Sequence, residues 1–183
     1  MIFFYVVFLL IILTILYFIF LYNRFISLRN HIDEALSSID IQIKRRYDLI
    51  PNLVEIVKGY AAHEKDTLEK VVQARSLAQN AKTLKEKAQA ENMLTDTLKS
   101  LFALSESYPD LKANQNFLEL QRTLTEIEEN ILQARRYYNA EVRDFNILCD
   151  AFPSNIVAAL FIFRKREFIE IREVEKENIK INF

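Results

Sequence analysis

The stretch MIFFYVVFLLIILTILYFIFLYN, residues 1–23, carries no charged side chain, and the first charge along the chain is Arg24. Apart from Thr14 and Asn23, its side chains are apolar or aromatic. An α-helix rises about 1.5 Å per residue, so the 22 residues before Asn23 reach roughly 33 Å, enough to cross a hydrocarbon core about 30 Å thick. It therefore predicts one membrane-spanning helix ahead of a charge-rich remainder.

Two other interpretations of residues 1–23 are weaker. A cleaved signal peptide has a basic start, a shorter apolar stretch and a small-residue cleavage site. This stretch has no basic start and leads into Leu-Tyr-Asn-Arg-Phe at residues 21–25. A buried core helix would need a larger protein around it, because the stretch is apolar on all sides. We interpret it as an uncleaved signal anchor that contacts the lipid bilayer.

The basic residues near the span predict its orientation. Arg24 and Arg29 follow the span, then Lys44, Arg45 and Arg46, and no Lys or Arg precedes it. The positive-inside tendency then places the helical domain in the cytoplasm, on a single-pass protein of the cell (inner) membrane.

Composition limits what the remaining part of the chain, about 160 residues and one ordinary domain in size, can be. The formal net charge of −1 gives no electrostatic case for binding nucleic acid. With Gly59 as its one glycine, the chain cannot form a Walker loop, a dinucleotide-binding turn or a kinase glycine loop. The single Cys149 excludes an intrachain disulfide framework. An all-helical domain remains.

Apolar residues recur at spacings of three and four through most of this domain, as on one face of a helix. One run continues from Phe25 to Val71, and another from Phe117 to Phe152 forms a coiled-coil-like seam of about five heptads. A shorter helix is predicted at 82–105, a loop at 105–110 and a last helix at 155–178. The prediction is an all-α fold in which a transmembrane signal anchor (1–23) continues into an elongated antiparallel, up-and-down four-helix bundle (24–178). A short tail (179–183) alternates apolar and polar residues, as an extended docking segment does.

Pro51 interrupts the first run and allows two chain paths. An interior proline removes one helical hydrogen bond and clashes with the carbonyl four residues earlier. We favour a kink at Pro51, continued helix to about Ser76, and a reversal at residues 80–83. The alternative is a reversal at Pro51, where Asp48 could cap a new helix, and a second break near Asn80.

Residues 39–64, IDIQIKRRYDLIPNLVEIVKGYAAHE, closely resemble the signature of the LemA family. The similarity extends to further matching segments: Tyr22-Asn23, Asp33-Glu34-Ala35, Ala74-Arg75, Glu106 with Tyr108-Pro109 and Leu111-Lys112-Ala113, Leu120-Gln121, residues 134–139, Phe145-Asn146 and residues 152–156. It thus covers nearly the whole chain. The resemblance implies a bacterial single-pass membrane protein with an up-and-down helical bundle, no enzymatic activity and no catalytic residues to carry over. The family often has Gly where Ile162 stands and Pro near Ile179.

No residue pattern supports catalysis or a cofactor. His63-Glu64 starts like a zincin motif, but position 67, where the second His belongs, is Thr. A di-iron bundle needs Glu three residues before His, and those positions hold Tyr60 and Leu28. We therefore expect no catalytic site, no cofactor and no metal.

The remaining candidates are polar residues near the apolar faces. The run Lys44-Arg45-Arg46 fits either a solvated face paired with Asp40 and Asp48 or a partner-binding patch. For the second basic run we consider contact with lipid headgroups: Arg164, Lys165 and Arg166. Interhelical hydrogen bonds that fix register are expected for four further residues: Asp48, Asn52, Asn139 and Asn146. Signature residues complete the set of candidate partner-binding or register-fixing positions: Pro51, Gly59, His63 and Glu64.

The functional prediction is a membrane-anchored helical scaffold or interaction protein that forms homo-oligomers, with other membrane proteins as possible partners. The seam from Phe117 to Phe152 motivates self-association, because it exceeds what one short neighbouring helix covers. The alternative is a signalling or accessory subunit of a membrane protease or transport complex.

Overall fold

The computed structural model describes residues 1–170, which form six α-helices and no β-strand. In chain order these are α1 (Ile2–Tyr60), α2 (Lys65–Asn80), α3 (Leu84–Ser105), α4 (Pro109–Lys112), α5 (Gln115–Asp150) and α6 (Ser154–Leu160). The prediction of an all-α fold with a long apolar N-terminal helix is confirmed. The tail at 179–183 lies outside the described residues.

The chain divides into two compact units, a division that the sequence gives no sign of. The anchor unit comprises Met1–Ser37 and Arg136–Phe168, and the bundle unit comprises, within the described residues, Ser38–Arg135 with Ile169 and Glu170. Helices α1 and α5 each contribute residues to both units.

In the bundle unit, four helical segments surround one apolar core. The second part of α1, then α2, α3 and the first part of α5 follow one another through short connections, so successive helices run antiparallel. The largest fully buried side chains of the core include residues from three of these segments: Ile50, Leu53, Leu94, Leu101, Phe117 and Ile127. Such a core is what the 3–4 spacing of apolar residues predicts.

The first chain reversal lies at residues 61–64, where the sequence predicted continuous helix. Helix α1 ends at Tyr60 and α2 begins at Lys65, so both the uninterrupted helix to Ser76 and the reversal at Pro51 are wrong. Val57, Ala61, Leu68 and Val71 are all buried on both sides of the turn. Because the apolar spacing continues across this short turn, periodicity alone does not reveal it.

The second reversal lies where the sequence predicted it, just before α3. Thr83 accepts a hydrogen bond from the backbone N–H of Glu86 at 3.1 Å, and Glu86 accepts one from the Thr83 N–H at 3.2 Å. This reciprocal arrangement is a capping box, which satisfies two N–H groups at the helix start. The backbone N–H groups of Lys82 and Thr83, which both donate to the Glu86 carboxylate, lower the pKa of that carboxyl.

Helix α1 continues through Pro51, and another helix supplies the hydrogen bond that this proline cannot make. Since Pro51 has no N–H, the carbonyl oxygen of Tyr47, four residues earlier, lacks its helical donor. Arg75 of α2 donates from Nε to that oxygen at 2.9 Å. The proline in α1 thus creates an acceptor that ties α2 to α1.

In the anchor unit, the first part of α1 packs along the second part of α5. Phe25 is fully buried, and its ring centroid lies 5.6 Å from that of Phe145 in an edge-to-face arrangement. The predicted seam holds through Val142 and Phe145, but Phe152 is exposed because α5 ends at Asp150.

Helix α6 ends at Leu160, so the prediction of a helix that continues from residue 155 to residue 178 is wrong. Residues 171–178 of the predicted helix lie outside the described residues. The N–H of Phe163 donates to the carbonyl of Ala158 at 2.9 Å, and that of Ile162 to Ala159 at 3.4 Å. These two bonds form a Schellman motif, which needs a left-handed residue at its C′ position. Ile162 has that conformation, with φ 57°, at the position where the resemblance leads one to expect Gly.

One window of α1 is long and apolar enough to cross a membrane, and none of it is buried in the structure. The side chains of residues 2–17 are all exposed. An apolar surface of this extent marks the protein as membrane-associated.

The hydrogen bond between Arg75 and Tyr47 predicts a thermodynamic coupling between Arg75 and Pro51. Arg75→Met should cost about 1.5–3 kcal/mol, the usual range for a hydrogen bond from a charged group. In a Pro51→Ala background, the restored N–H serves the Tyr47 carbonyl, so the same change should cost clearly less. Urea unfolding of the four proteins in detergent, followed by circular dichroism, measures the coupling; equal costs in both backgrounds would rule it out.

Candidate functional site

The most unusual group in the bundle unit is the guanidinium of Arg46, which is 1% exposed. Arg46 lies on the buried face of α1 between Ile43 and Ile50, both of which are core residues. A buried cation is costly unless it is paired and hydrogen-bonded. Its surroundings therefore decide whether the bundle unit is stable.

Three side chains from two other helices accept hydrogen bonds from Arg46. Nη2 donates to the Glu91 carboxylate of α3, and Nη1 donates to the Glu128 carboxylate of α5. Nη1 also lies 3.1 Å from Oγ1 of Thr95, whose hydroxyl is in turn 2.6 Å from Glu128 Oε1. One guanidinium thus connects α1, α3 and α5.

Tyr47 completes the surroundings of Glu91 by donating its hydroxyl hydrogen to the second carboxylate oxygen. Burial raises the pKa of the Tyr47 phenol, so the hydroxyl keeps its proton at neutral pH. Burial lowers the pKa of the Arg46 guanidinium, and the Glu128 carboxylate opposes that shift. Arginine nevertheless remains charged at neutral pH.

A second arginine balances the charge of the cluster. Arg135 of α5 is buried, acts electrostatically on Arg46, and donates from Nη1 to Asn92 of α3 at 3.2 Å. Counted together, the guanidinium groups of Arg46 and Arg135 equal in number the carboxylates of Glu91 and Glu128. We call Arg46, Tyr47, Glu91, Thr95, Glu128 and Arg135 the arginine network.

The arginine network is arranged to hold helices together. Glu91 is 1% exposed and Glu128 is 33% exposed, so solvent reaches the network only on the Glu128 side. There it borders a groove of about 130 Å³ lined by Leu98, Phe102 and Leu124. Within residues 1–170, no group of three or more His, Cys, Asp or Glu side chains could hold a metal ion.

The structure separates the predicted basic run into two kinds of residue. Arg46 lies in the core, whereas Lys44 and Arg45 are exposed. The expected pairing with Asp40 is wrong, because Asp40 accepts from Lys87 of α3 at 2.5 Å and Arg46 pairs with glutamates. Asp48, the other expected partner, is exposed.

Among the other predicted positions, Asn52, Pro51, Gly59 and His63 are exposed. An added Cβ at Gly59 would meet open space, so the backbone there does not require glycine. Glu64 accepts a hydrogen bond from the Tyr108 hydroxyl at 3.0 Å, joining the turn after α1 to the start of α4. Close by in sequence, the Asn114 amide donates to the Tyr60 hydroxyl at 3.0 Å.

In the anchor unit, one predicted polar residue fixes a backbone segment. The Asn146 amide donates to the carbonyl of Arg166 and accepts from its N–H, both at 2.9 Å. Asn139 is half-buried. Arg164, Lys165 and Arg166 are exposed, and Lys165 pairs with Asp150 at 2.7 Å.

Sequence analysis missed Glu91, Thr95 and Glu128 as partners of Arg46, although a signal was present. The apolar spacing of α1 leaves a gap of seven residues between Ile43 and Ile50, which a core residue at 46 or 47 must fill. In α3, Glu91 and Thr95 continue the spacing of Ala88 and Leu98 in the same way. A charged residue in a core phase on two helices predicts a buried ion pair.

Comparison with known proteins agrees with these features. A family model described as "LemA family" matches residues 35–183. Protein LemA of Metamycoplasma hominis is 27% identical over 180 residues, which cover 97% of this chain and 82% of that protein. Magnetosome protein MamQ 2 of Paramagnetospirillum magneticum is 23% identical over 81% of this chain. Magnetosome protein MamQ of Magnetospirillum gryphiswaldense is 22% identical over 80% of this chain.

The fold and the arginine network define a helical, membrane-associated protein whose buried charges join its own helices. The family match extends over more than half of the chain and includes the arginine network and α6. The chain belongs to the LemA family, which is not known as an enzyme family. It spans 64% of the length of each of the two MamQ proteins.

The arginine network predicts that one substitution is harmful and a second repairs it. Arg46→Met should lower the free energy of unfolding by about 3–5 kcal/mol, because Glu91 is left buried without its counter-charge. Adding Glu91→Met should recover most of this loss, since an apolar pair of similar volume needs no counter-charge. Urea unfolding in detergent measures both effects.

Arg45→Met is the matched control, because Arg45 is the exposed neighbour and should shift stability by about 0.5 kcal/mol or less. If Arg46→Met is as harmless as Arg45→Met, Arg46 is not the buried connection described here. If the double variant is no more stable than Arg46→Met, the loss does not come from the unpaired carboxylate.

Proposed function

We propose that this protein is a membrane-anchored helical scaffold or interaction protein, without catalytic activity of its own, and that its copies self-associate. The anchor is a single pass of α1 through the cell membrane, and the helical domain lies on the cytoplasmic side. The observation that carries the proposal is the exposed apolar window of α1. The same helix also contributes residues to the bundle unit.

The use of charged groups supports a non-catalytic role. In a catalytic site, buried or half-buried charges point into a cleft where a substrate binds. Here the buried charges Arg46, Glu91 and Arg135 bond to side chains of neighbouring helices. Both Nη atoms of Arg46 are therefore occupied by side chains of the fold, while its buried Nε has no hydrogen-bond partner among the described residues.

Support for self-association comes from exposed apolar side chains outside the α5 seam, not from the seam itself as the sequence led us to expect. Most of the α5 seam is buried within the chain itself, including Phe117, Leu124 and Ile131. Large apolar side chains that are about half exposed lie elsewhere in the bundle unit: Ile41, Val72, Leu77, Met93 and Leu118. Where such side chains adjoin one another, they favour protein–protein contact.

Self-association predicts that two differently tagged copies of the full chain, co-expressed in one cell, purify together. The complex should persist after reconstitution at dilute protein-to-lipid ratio, and light scattering should give a mass of at least two chains per particle. A chain carrying an unrelated single-pass helix in place of residues 1–23 separates contacts of the bundle from contacts of the anchor. A strictly monomeric particle for both proteins would contradict self-association.

A second candidate function, an accessory subunit of a membrane protease or transport complex, is favoured by the exposed pair Lys44 and Arg45. Neither side chain forms an ion pair within residues 1–170, unlike the neighbouring Arg46. Two adjacent unpaired cations on one helix can attract an acidic surface of a partner.

This candidate is tested by Lys44→Glu with Arg45→Glu, leaving Arg46 intact because its replacement would destabilise the core. The charge reversal should remove crosslinks to specific membrane proteins in whole cells, with the melting temperature unchanged. Lys82→Glu with Lys85→Glu, an exposed pair at the start of α3, is the control for net charge. Identical crosslinking patterns for all three proteins would exclude the Lys44–Arg45 surface as a binding site.

A further inference from the structure

The connection after α5 displays an unusual amount of apolar surface. Residues 151–163, AFPSNIVAALFIF, contain no charged side chain, and we call them the apolar turn. Phe152 is 81% exposed, Leu160 is 68% exposed and Ile162 is 72% exposed. A cluster of this kind is rarely left in water, because its apolar surface is costly to hydrate.

The apolar turn is held in place by its other side. Ser154, Val157 and Ala158 of α6 are buried, whereas Ile156 and Leu160, one helical turn apart, are exposed. Backbone bonds at the end of α6 hold Ile162 in its left-handed conformation. The exposed side chains are therefore displayed from an ordered backbone.

Aromatic contacts place the apolar turn beside the end of the membrane-spanning stretch. The ring of Phe161 lies 4.6 Å, centroid to centroid, from that of Tyr22. The ring of Phe163 stacks on that of Phe25 at 4.6 Å with an interplanar angle of 9°. Tyr22 and Phe25 flank Arg24, where the uncharged stretch ends.

The pairing of α1 with α5 in the anchor unit also places the apolar turn beside the end of the uncharged stretch. His31 lies 3.4 Å from Glu141, and Phe25 contacts Phe145, so the two helices run antiparallel. Five residues from the Phe25–Phe145 pair, toward the start of α1 and the end of α5, correspond to about 7.5 Å along each helix. Asp150 therefore lies level with Phe20. The apolar turn begins at that level, beside the last turns of the uncharged stretch.

Basic side chains follow the apolar turn directly. Arg164 and Arg166 are exposed, and Asn146 holds the backbone of Arg166. Lys165 pairs with Asp150. Exposed arginines next to an apolar surface match the boundary between hydrocarbon and anionic headgroups, where long basic side chains direct their charge to the headgroup region.

We propose that the apolar turn is a second membrane contact of this protein, immersed in the interfacial region of the bilayer beside α1, with Arg164 and Arg166 at the headgroups. The occupant is lipid, because the turn is continuous with the surface of the membrane-spanning stretch and exposes its side chains to the same extent. Phe20, the level neighbour of Asp150, is 63% exposed. This inference rests on the proposed anchoring by residues 1–23.

Spin labels on the full chain in nanodiscs of phosphatidylcholine and phosphatidylglycerol test the inference. In a Cys149→Ser background, single cysteines are introduced as Leu160→Cys and Ile162→Cys, with Leu10→Cys reporting the anchor and Glu34→Cys reporting water. Power saturation then compares collisions with oxygen, which concentrates in lipid, and with a water-soluble nickel chelate. The oxygen-to-nickel ratio at positions 160 and 162 should exceed that at position 34 several-fold and approach that at position 10.

The outcomes separate this inference from the proposal on which it rests. If position 10 reports lipid while 160 and 162 match position 34, the anchor stands and the second contact is wrong. If positions 160 and 162 are shielded from both reagents, a protein surface covers the turn, and the inference is also wrong. If position 10 itself reports water, the proposed anchoring is wrong, and the inference that rests on it is wrong as well.

Discussion

The cost of keeping Arg46 charged in the core is the constraint on which the bundle unit depends. A guanidinium at this depth requires carboxylates and hydroxyls within hydrogen-bonding distance, and no single helix can supply them. Glu91 and Thr95 come from α3 and Glu128 from α5, so these hydrogen bonds favour the one register of the three helices in which all of them form.

Pro51 acts in a similar way five residues later. It withholds a donor from the Tyr47 carbonyl, and Arg75 of α2 supplies one. Arg46 and Pro51 thus each leave α1 with an unmet polar requirement, and different helices meet the two requirements. Together they connect α1 to α2, α3 and α5. Both residues lie within residues 39–64, the end of α1 and the turn after it, on which the family resemblance rests most strongly.

Much of this fold follows from spacing alone, but the polar contacts do not. The uncharged stretch before Arg24 and the 3–4 pattern from Phe117 correctly predict the long apolar N-terminal helix and α5. The turn at residues 61–64 escapes prediction because Ala61 and Leu68 keep the apolar phase across it. The arginine network is not predicted because Arg46 belongs to a basic run of the kind usually found on protein surfaces. Only the missing core residue between Ile43 and Ile50 indicates that it is buried. The end of α6 depends on the left-handed backbone conformation of Ile162. A β-branched residue rarely adopts this conformation, so the sequence does not predict it.

Amide hydrogen exchange on the full chain in nanodiscs, read by mass spectrometry, tests most directly whether Arg46 joins the helices into one unit. Peptides around Arg46, around Glu91 and around Glu128 should exchange together, at the slow rate set by opening of the whole bundle unit. Their protection should be lost over the same narrow range of urea concentration. Rapid exchange around Glu91 while the peptide around Arg46 remains protected would show that α3 opens independently, and would contradict the account.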